Sequence, residues 1–251
     1  MRIQFHVDMD GTLWDAEDRN RSIIERESKQ YSPALSSMSD QEHASFWQNA
    51  WKEYAGKTES QFHQILNLEN ITAEEFEELC RNQWGNHLSD VSVNVELLHF
   101  LTNQTFDGHK IGIVTSSRRE DVNHYLSLAE QYVENANSVF SSIVASDDLH
   151  PQDRKPSPVP YLISMQNMRE QNTGRTIHIG IEDSMNGATS FLATAPSNDR
   201  NTYLFYLNET PYAGDDPRVI SVKNITELAR SFEQLARNLG RGNWEPSLSI
   251  A

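Results

Sequence analysis

The chain has 251 residues, of which 37% are hydrophobic and 23% are charged, so it can bury the core of one domain or of a domain with an insertion. Its formal net charge of −15 disfavours nucleic acid and anionic membrane surfaces as partners. Cys80 is its only cysteine, which excludes a disulfide framework and a cysteine zinc cluster and predicts a reducing, cytoplasmic location. No apolar run approaches the length that spans a membrane.

The first predicted element is a strand that ends in two carboxylates. Residues 3–7 alternate between apolar and polar side chains, which predicts a strand with one face more buried than the other. Asp8 and Asp10 follow it, two residues apart, so a continuing strand would point both side chains the same way. Gly11 comes next and allows a sharp turn or a close approach to a ligand.

Residues 15–94 predict a run of short helices with no strand. Capping patterns begin at Ser39, Thr58 and Thr72, each three residues before a glutamate or glutamine. Aromatic residues recur at helical spacing behind the first of these patterns, which predicts a packed core within this region. The alternative is that some of these side chains line a pocket: Trp47, Trp51 and Phe62.

From Val95 onward, strands alternate with helices. This alternation predicts a parallel sheet with right-handed crossovers. The tail from residue 240 to residue 251 is polar and predicts a loosely docked extension. The later strands are predicted at residues 111–114, 142–145, 177–181, 202–207 and 219–222.

Polar groups follow four of the predicted elements of this sheet. They are Asp8 with Asp10, Thr115 with Ser116, the segment around Lys155, and Glu182 with Asp183. Each group alone would be ordinary solvated structure. Because the carboxyl ends of parallel strands meet at one edge, their joint occurrence predicts a ligand site there.

Four segments resemble the motifs of the haloacid dehalogenase-like hydrolase superfamily: residues 8–12 (D-M-D-G-T), 113–116 (I-V-T-S), 153–158 (D-R-K-P-S-P) and 179–187 (I-G-I-E-D-S-M-N-G). The K-P-x-P and G-x-E-D-S-x-x-G sequences are similar to the motifs of one branch of this superfamily, which contains sugar-phosphate phosphatases and β-phosphoglucomutases. The resemblance covers nearly the whole chain except the C-terminal tail.

The resemblance implies an α/β fold, with a Rossmann-like, doubly wound parallel sheet as the core. It also implies a small helical cap domain inserted after the first strand. We therefore expect a core formed by residues 1–14 and 95–240, a cap formed by residues 15–94, and a tail of residues 241–251.

The resemblance also implies a magnesium-dependent phosphatase that acts through an aspartyl-phosphate. Asp8 would be the nucleophile, and Asp10 the general acid and base. Thr115 and the Ser116 backbone N–H would bind the phosphoryl group. Lys155 would supply positive charge to the reacting oxygens.

The implied metal ligands are few carboxylates together with phosphate and water, a set that Mg²⁺ prefers. Asp8 and Asp183 would bind Mg²⁺ through their carboxylates and Asp10 through its backbone carbonyl. Glu182 would lie beside the ion and contact it through water or a further hydrogen bond. The implied partner is a small phosphorylated metabolite, with no nucleic acid and no membrane, and with a monomer or small homo-oligomer as the assembly.

The candidate substrate contacts beyond this set are Gly11, Thr12, Lys57, Thr58 and Arg118. Lys57 and Thr58 fall where the branch carries a substrate-specificity loop, although Lys57 could equally be a solvated residue after a helix stop. Arg118 could equally lie on an exposed helix start.

Two other functions stay open from the sequence alone. One is a phosphomutase of the β-phosphoglucomutase type, although the loop near Lys57 lacks the arginine that would hold a second phosphate. The other is a non-catalytic binding protein on the same fold, which loss of a motif residue would have favoured. Dehalogenation is disfavoured because dehalogenases generally lack the second aspartate that Asp10 supplies.

Overall fold

A computed structural model describes residues 2–54, 59–84, 91–169 and 174–240. The chain divides into two compact units, Met1–Trp14 with Val93–Ala251, and Asp15–Ser92. The predictions that concern Lys57, Thr58 and the tail fall outside the described residues.

The strands are β1 (Arg2–Val7), β2 (Trp14–Asp15), β3 (Ser92–Val93), β4 (Lys110–Val114), β5 (Phe140–Val144), β6 (Thr176–Glu182), β7 (Thr202–Leu207) and β8 (Val219–Val222). The helices are α1 (Glu17–Tyr31), α2 (Pro33–Ser36), α3 (Asp40–Tyr54), α4 (Glu59–Ile65), α5 (Ala73–Trp84), α6 (Val95–Phe106), α7 (Arg119–Ala129), α8 (Val159–Asn167), α9 (Met185–Leu192) and α10 (Ile225–Gly240).

The first unit contains a six-stranded sheet in the order β5-β4-β1-β6-β7-β8, and every neighbouring pair is parallel. This confirms the predicted fold class. Val7 at the end of β1 aligns with Ile113 of β4 on one side and with Ile181 of β6 on the other. The three central strands therefore end at the same level, and the residues after them share one edge of the sheet.

Helices cover both faces of this sheet. The Phe5 ring of β1 contacts Phe100 of α6 and Phe232 of α10. The next residue along β1, His6, points to the opposite face and contacts Tyr161 of α8 and Phe191 of α9. The sheet is thus the middle layer of three.

The expectation that one face of β1 would be more exposed is wrong. Gln4 and His6 are buried like their apolar neighbours, at 7% and 0% exposure. Hydrogen bonds to the layer of helices satisfy part of their polar groups: the Gln4 side-chain N–H donates to the Met168 carbonyl, and the His6 Nδ1 lies 3.0 Å from the Ser164 hydroxyl. The Gln4 Oε1 is buried without a partner among the described residues. Helices on both faces of the sheet bury alternate residues of either polarity, and hydrogen bonds to those helices offset part of the cost of burying polar groups.

The second unit is helical, and two of its predicted caps are present. Ser39 and Glu42 exchange hydrogen bonds before α3, and Thr72 and Glu75 do so before α5. The third, which begins at Thr58, falls outside the described residues. None of the helices within the described ranges has the length and apolar character needed to cross a membrane.

The aromatic stripe of the second unit packs within the unit itself. Trp47 and Phe62 are buried at 2% and 1% exposure in one cluster with Phe76 and Cys80. Trp51 stacks on Trp47 with the ring centroids 5.2 Å apart. This arrangement agrees with the packed-core prediction for these side chains.

The prediction of no strand between residues 15 and 94 is wrong at both ends. Asp15 belongs to β2 and Ser92–Val93 forms β3, and the two strands pair as a small separate sheet. A two-residue strand is too short to produce an alternating pattern, so the sequence carries no periodic signal for it.

Candidate active site

Three carboxylates converge at the carboxyl edge of the sheet. Asp8 follows β1, Glu182 is the last residue of β6, and Asp183 follows it. One carboxylate oxygen from each residue lies within 4.8 Å of the others. The parallel pairing of β1 with β6 therefore brings together residues that are more than 170 positions apart in the sequence.

Lys155 connects two of these carboxylates. Its Nζ lies 2.6 Å from Asp8 Oδ1 and 2.6 Å from Glu182 Oε1, and its side chain is only 4% exposed. Burial by itself would lower the pKa of Lys155, but the charges of Asp8 and Glu182 raise it above its ordinary value. The side chain is therefore a buried ammonium that bridges the nucleophile candidate and Glu182.

One ammonium does not balance the acids around it. Burial, followed by the charge of Glu182, raises the pKa of Asp8 well above its ordinary value. The same two causes raise the pKa of Asp183 to about 7. Close carboxylates withdrawn from water disfavour one another's ionised forms, so the cluster is short of positive charge.

The residues present fit a hard divalent cation. Asp183 Oδ1 is buried and has no hydrogen-bond partner among the described residues. A buried carboxylate oxygen without a donor is costly, and a bound cation would satisfy it. Oxygen donors from few carboxylates are the ligands that Mg²⁺ takes in proteins. The acidic cluster of Asp8, Glu182 and Asp183 is thus a candidate metal site.

Asp10 lies next to this cluster and is held by hydrogen bonds to both carboxylate oxygens. The Trp14 indole N–H donates to Oδ1 over 2.8 Å. The Ser117 hydroxyl lies 2.5 Å from Oδ2, and the Thr115 hydroxyl lies 3.3 Å from the same oxygen. The Ser117 backbone N–H in turn donates to the Thr115 hydroxyl over 2.9 Å.

Gly11 occupies a position that only glycine fits without strain. Its φ of +77° lies in the left-handed region. A Cβ built on Gly11 would lie 2.0 Å from Asp183 Oδ2, so a side chain would displace this carboxylate. The sequence assigns Gly11 to substrate contact, whereas the structure gives it a second, steric role beside Asp183.

We expect Gly11→Ala to reduce Mg²⁺ affinity by about tenfold or more, because it displaces a candidate ligand. Gly108→Ala is the matched control, since Gly108 also has a positive φ, +80°, but its Cβ would meet no atom within 4 Å. Both variants are expected to lose about 1–2 kcal/mol of unfolding free energy from backbone strain. Calorimetric Mg²⁺ titration and urea unfolding measure the two effects, and an unchanged affinity in Gly11→Ala would contradict the steric role.

The remaining predicted residues take varied positions. Thr12 is buried, and its carbonyl accepts a hydrogen bond from the Asn94 side chain over 3.0 Å. Ser116 is exposed in the turn between β4 and α7. Arg118 immediately precedes α7, and its backbone N–H donates to Asp121. The next residue, Arg119, pairs with Asp148.

Four residues of the site were not identified from the sequence. Trp14 and Ser117 hold Asp10, as described above. The buried Tyr161 hydroxyl donates to Glu182 Oε1, and the Asn208 side chain donates to the Asp183 carbonyl over 2.9 Å. Of these four, Ser117 had the clearest signal in the sequence, because it directly follows Thr115 and Ser116.

A family model described as haloacid dehalogenase-like hydrolase matches residues 7–192 of the chain. This range contains all of the acidic cluster, Lys155 and the whole second unit. Among curated proteins, no sequence matches the chain.

Solved structures show the same fold at low sequence identity. CbbY from Rhodobacter sphaeroides, in complex with phosphate, is 15% identical, with a TM-score of 0.61, 91% of this chain covered and 96% of that chain. A mutant of CbbY has been solved with xylulose-(1,5)-bisphosphate. A family IA, variant 3 hydrolase from Entamoeba histolytica is 19% identical, with a TM-score of 0.60 and coverages of 95% and 100%. A predicted phosphoglycolate phosphatase from Haemophilus somnus is 15% identical, with a TM-score of 0.64 and coverages of 91% and 97%.

Proposed function

We propose that this chain, which belongs to the haloacid dehalogenase-like hydrolase family, is a Mg²⁺-dependent phosphatase that acts on a small phosphorylated metabolite. The observation that carries the proposal is the buried contact between Lys155 and Asp8 beside the other two acids. A carboxylate paired with an ammonium at a candidate metal site has the groups that phosphoryl transfer requires.

In the first step, an oxygen of Asp8 attacks the phosphorus of the ester. The bond between phosphorus and the ester oxygen breaks, and Asp10 gives its proton to the departing alcohol. The product is an aspartyl-phosphate on Asp8. Lys155, already 2.6 Å from Asp8, stabilises negative charge on the reacting oxygens.

In the second step, Asp10 takes a proton from a water molecule, whose oxygen attacks the phosphorus of the aspartyl-phosphate. The bond from phosphorus to Asp8 breaks, inorganic phosphate leaves, and the Asp8 carboxylate is restored. The Thr115 hydroxyl and the Ser116 backbone N–H orient the phosphoryl group in both steps. Asp10 ends the cycle protonated, as it began.

Mg²⁺ would be held by the carboxylates of Asp8 and Asp183 and by the backbone carbonyl of Asp10. When bound, it supplies positive charge that lets a phosphate dianion enter beside several carboxylates. Glu182 lies among these acids, but its Oε1 already accepts hydrogen bonds from Lys155 and Tyr161. We therefore propose that Glu182 mainly holds Lys155 and contacts the ion through water.

For the substrate, we propose a sugar phosphate or a similar small monoester. The phosphate and the xylulose bisphosphate bound to CbbY, a protein of the same fold, support this class. We propose that the second unit, Asp15–Ser92, is a cap that contributes to substrate selection, with Lys57, Thr58 and Arg118 as candidate contacts. The compartment that we propose is the cytoplasm, and the assembly a monomer or small homo-oligomer.

The proposal is tested by phosphate release from a panel of sugar phosphates, other alkyl phosphates and 4-nitrophenyl phosphate, with and without Mg²⁺. We expect release that requires Mg²⁺ and stops when EDTA is added. Isomeric products from a hexose phosphate, without release, would instead identify a phosphomutase. A folded protein that is inactive on the whole panel would contradict the phosphatase proposal.

Mg²⁺ is also expected to change how stability depends on pH. Burial and Glu182 raise the pKa of Asp183 to about 7, so the metal-free folded state binds more protons than the unfolded state between about pH 4 and pH 7. The contribution of Asp183 to stability therefore falls as pH rises through this window. Mg²⁺ competes with those protons, so it should raise the melting temperature more at pH 8 than at pH 5.

The measurement is a melting curve at each pH, with and without Mg²⁺, for the wild type and for Asp183→Asn. The variant cannot ionise at this position, so the increase in Mg²⁺ stabilisation with pH should become smaller, with only the part that comes from Asp8 remaining. An equal Mg²⁺ effect at both pH values in the wild type would contradict the candidate metal site.

A further inference from the structure

The Asp10 side chain is fixed from two sides by residues outside the acidic cluster. The Trp14 indole N–H donates to Oδ1, and the Ser117 hydroxyl lies 2.5 Å from Oδ2. These two donors come from different segments, the start of β2 and the turn after β4. Together they determine the direction of a carboxyl group that would otherwise rotate about two side-chain bonds.

The backbone turn after β1 brings Trp14 back to Asp10. The Gly11 N–H donates to the Trp14 carbonyl over 2.8 Å, and the Trp14 N–H donates to the Met9 carbonyl over 3.0 Å. The Trp14 ring is 1% exposed and packs edge-on against Tyr125 with the centroids 5.8 Å apart. The indole is therefore a fixed donor.

The hydroxyls of Ser117 and Thr115 lie 2.5 Å and 3.3 Å from Asp10 Oδ2, whereas the indole N–H of Trp14 lies on Oδ1. These two kinds of partner differ in whether they can accept a hydrogen bond. An indole N–H only donates, so Oδ1 must stay an acceptor as long as this bond exists. A serine hydroxyl can donate or accept, and it can turn when Oδ2 carries a proton. The arrangement therefore favours Oδ2 as the oxygen that carries the transferred proton.

We propose that Trp14 and Ser117 are positioning residues that orient Asp10 for proton transfer to the leaving alcohol through Oδ2. This inference rests on the proposed function, in which Asp10 is the general acid. A general acid must lie within hydrogen-bond reach of the leaving oxygen, and hydrogen bonds on both carboxylate oxygens restrict Asp10 to one orientation.

The test compares esters that differ in their need for an acid. An alkyl alkoxide leaves only if it is protonated, whereas 4-nitrophenolate leaves without a proton. kcat/KM is the quantity to compare, because it covers the steps up to formation of the aspartyl-phosphate and leaves out the later use of Asp10 as a base.

We expect Ser117→Ala to reduce kcat/KM for the best alkyl phosphate by about 10- to 100-fold, part of the usual contribution of a general acid. The value for 4-nitrophenyl phosphate should fall by less than about threefold. Ser117→Thr, which keeps a hydroxyl, should restore most of the alkyl rate. Trp14→Phe should show the same selective loss, and melting curves establish that each variant is folded.

Ser127→Ala is the matched control, because Ser127 is exposed on α7 and its hydroxyl donates to the Asn123 carbonyl of the same helix. Ser127→Ala should leave kcat/KM unchanged for both esters. Equal losses on both esters in folded Ser117→Ala would overturn the positioning role while leaving the phosphatase proposal intact. A wild type inactive on every ester would instead overturn the proposed function, and this inference with it.

Discussion

Asp8→Asn is expected to reduce Mg²⁺-dependent phosphate release by a factor on the order of 10⁴ or more, the scale seen when a covalent nucleophile is removed. The amide keeps the size of the carboxyl group but does not attack phosphorus. Phosphate release with saturating ester, followed over hours, provides the range that this measurement needs.

The fold should survive this change. Asp8 is buried, and its raised pKa shows that its charge is disfavoured where it lies, so the neutral amide removes an unfavourable charge. Lys155 keeps Glu182 as a partner. Asp107→Asn is the matched control, because Asp107 is exposed just before β4, at the opposite edge of the sheet. Activity in Asp8→Asn within tenfold of the wild type would contradict the nucleophile assignment.

Lys155→Met is expected to impair both activity and stability. Activity should fall by about 10²–10³-fold, the usual loss when a donor to developing negative charge is removed. In the metal-free protein, about 3–5 kcal/mol of unfolding free energy should also be lost, because the buried Glu182 and Asp8 would lack their shared cation.

Urea unfolding at pH 8 without Mg²⁺ measures the stability loss, and Lys223→Met is the control because Lys223 is exposed. Adding Glu182→Gln to Lys155→Met should restore part of the lost stability, since it removes one uncompensated buried charge. A Lys155→Met protein as stable as the wild type would show that the ion pairs of Lys155 contribute little to the free energy of unfolding.

The fold could be predicted from the sequence because its signals are local. The β7 and β8 strands were predicted with their observed bounds, and each acid of the cluster follows or ends a strand. A parallel sheet brings such ends to one edge whatever the details of its loops. The strands predicted along the chain and the family resemblance agree with the observed six-stranded parallel sheet.

The supporting residues could not be predicted because their contacts are not local. Tyr161 reaches Glu182 from α8, and Asn208 reaches the Asp183 carbonyl from the end of β7. Neither belongs to one of the four motif segments. In the sequence, nothing distinguishes Trp14 from other apolar residues. The turn at Gly11 directs its indole to Asp10, and this turn is visible only in the structure.

The most direct test of the central claim is to trap the intermediate on Asp8. Turnover of the best ester with Mg²⁺ is stopped with acid, and borohydride reduction then converts an aspartyl-phosphate to homoserine. Trypsin cleaves after Arg2 and Arg19, so position 8 lies in the tryptic peptide from Ile3 to Arg19. We predict that mass spectrometry of this peptide shows homoserine at position 8, and that homoserine is absent without ester or in Asp8→Asn. Phosphate release without modification of Asp8, or with the phosphoryl group on another residue, would contradict the account.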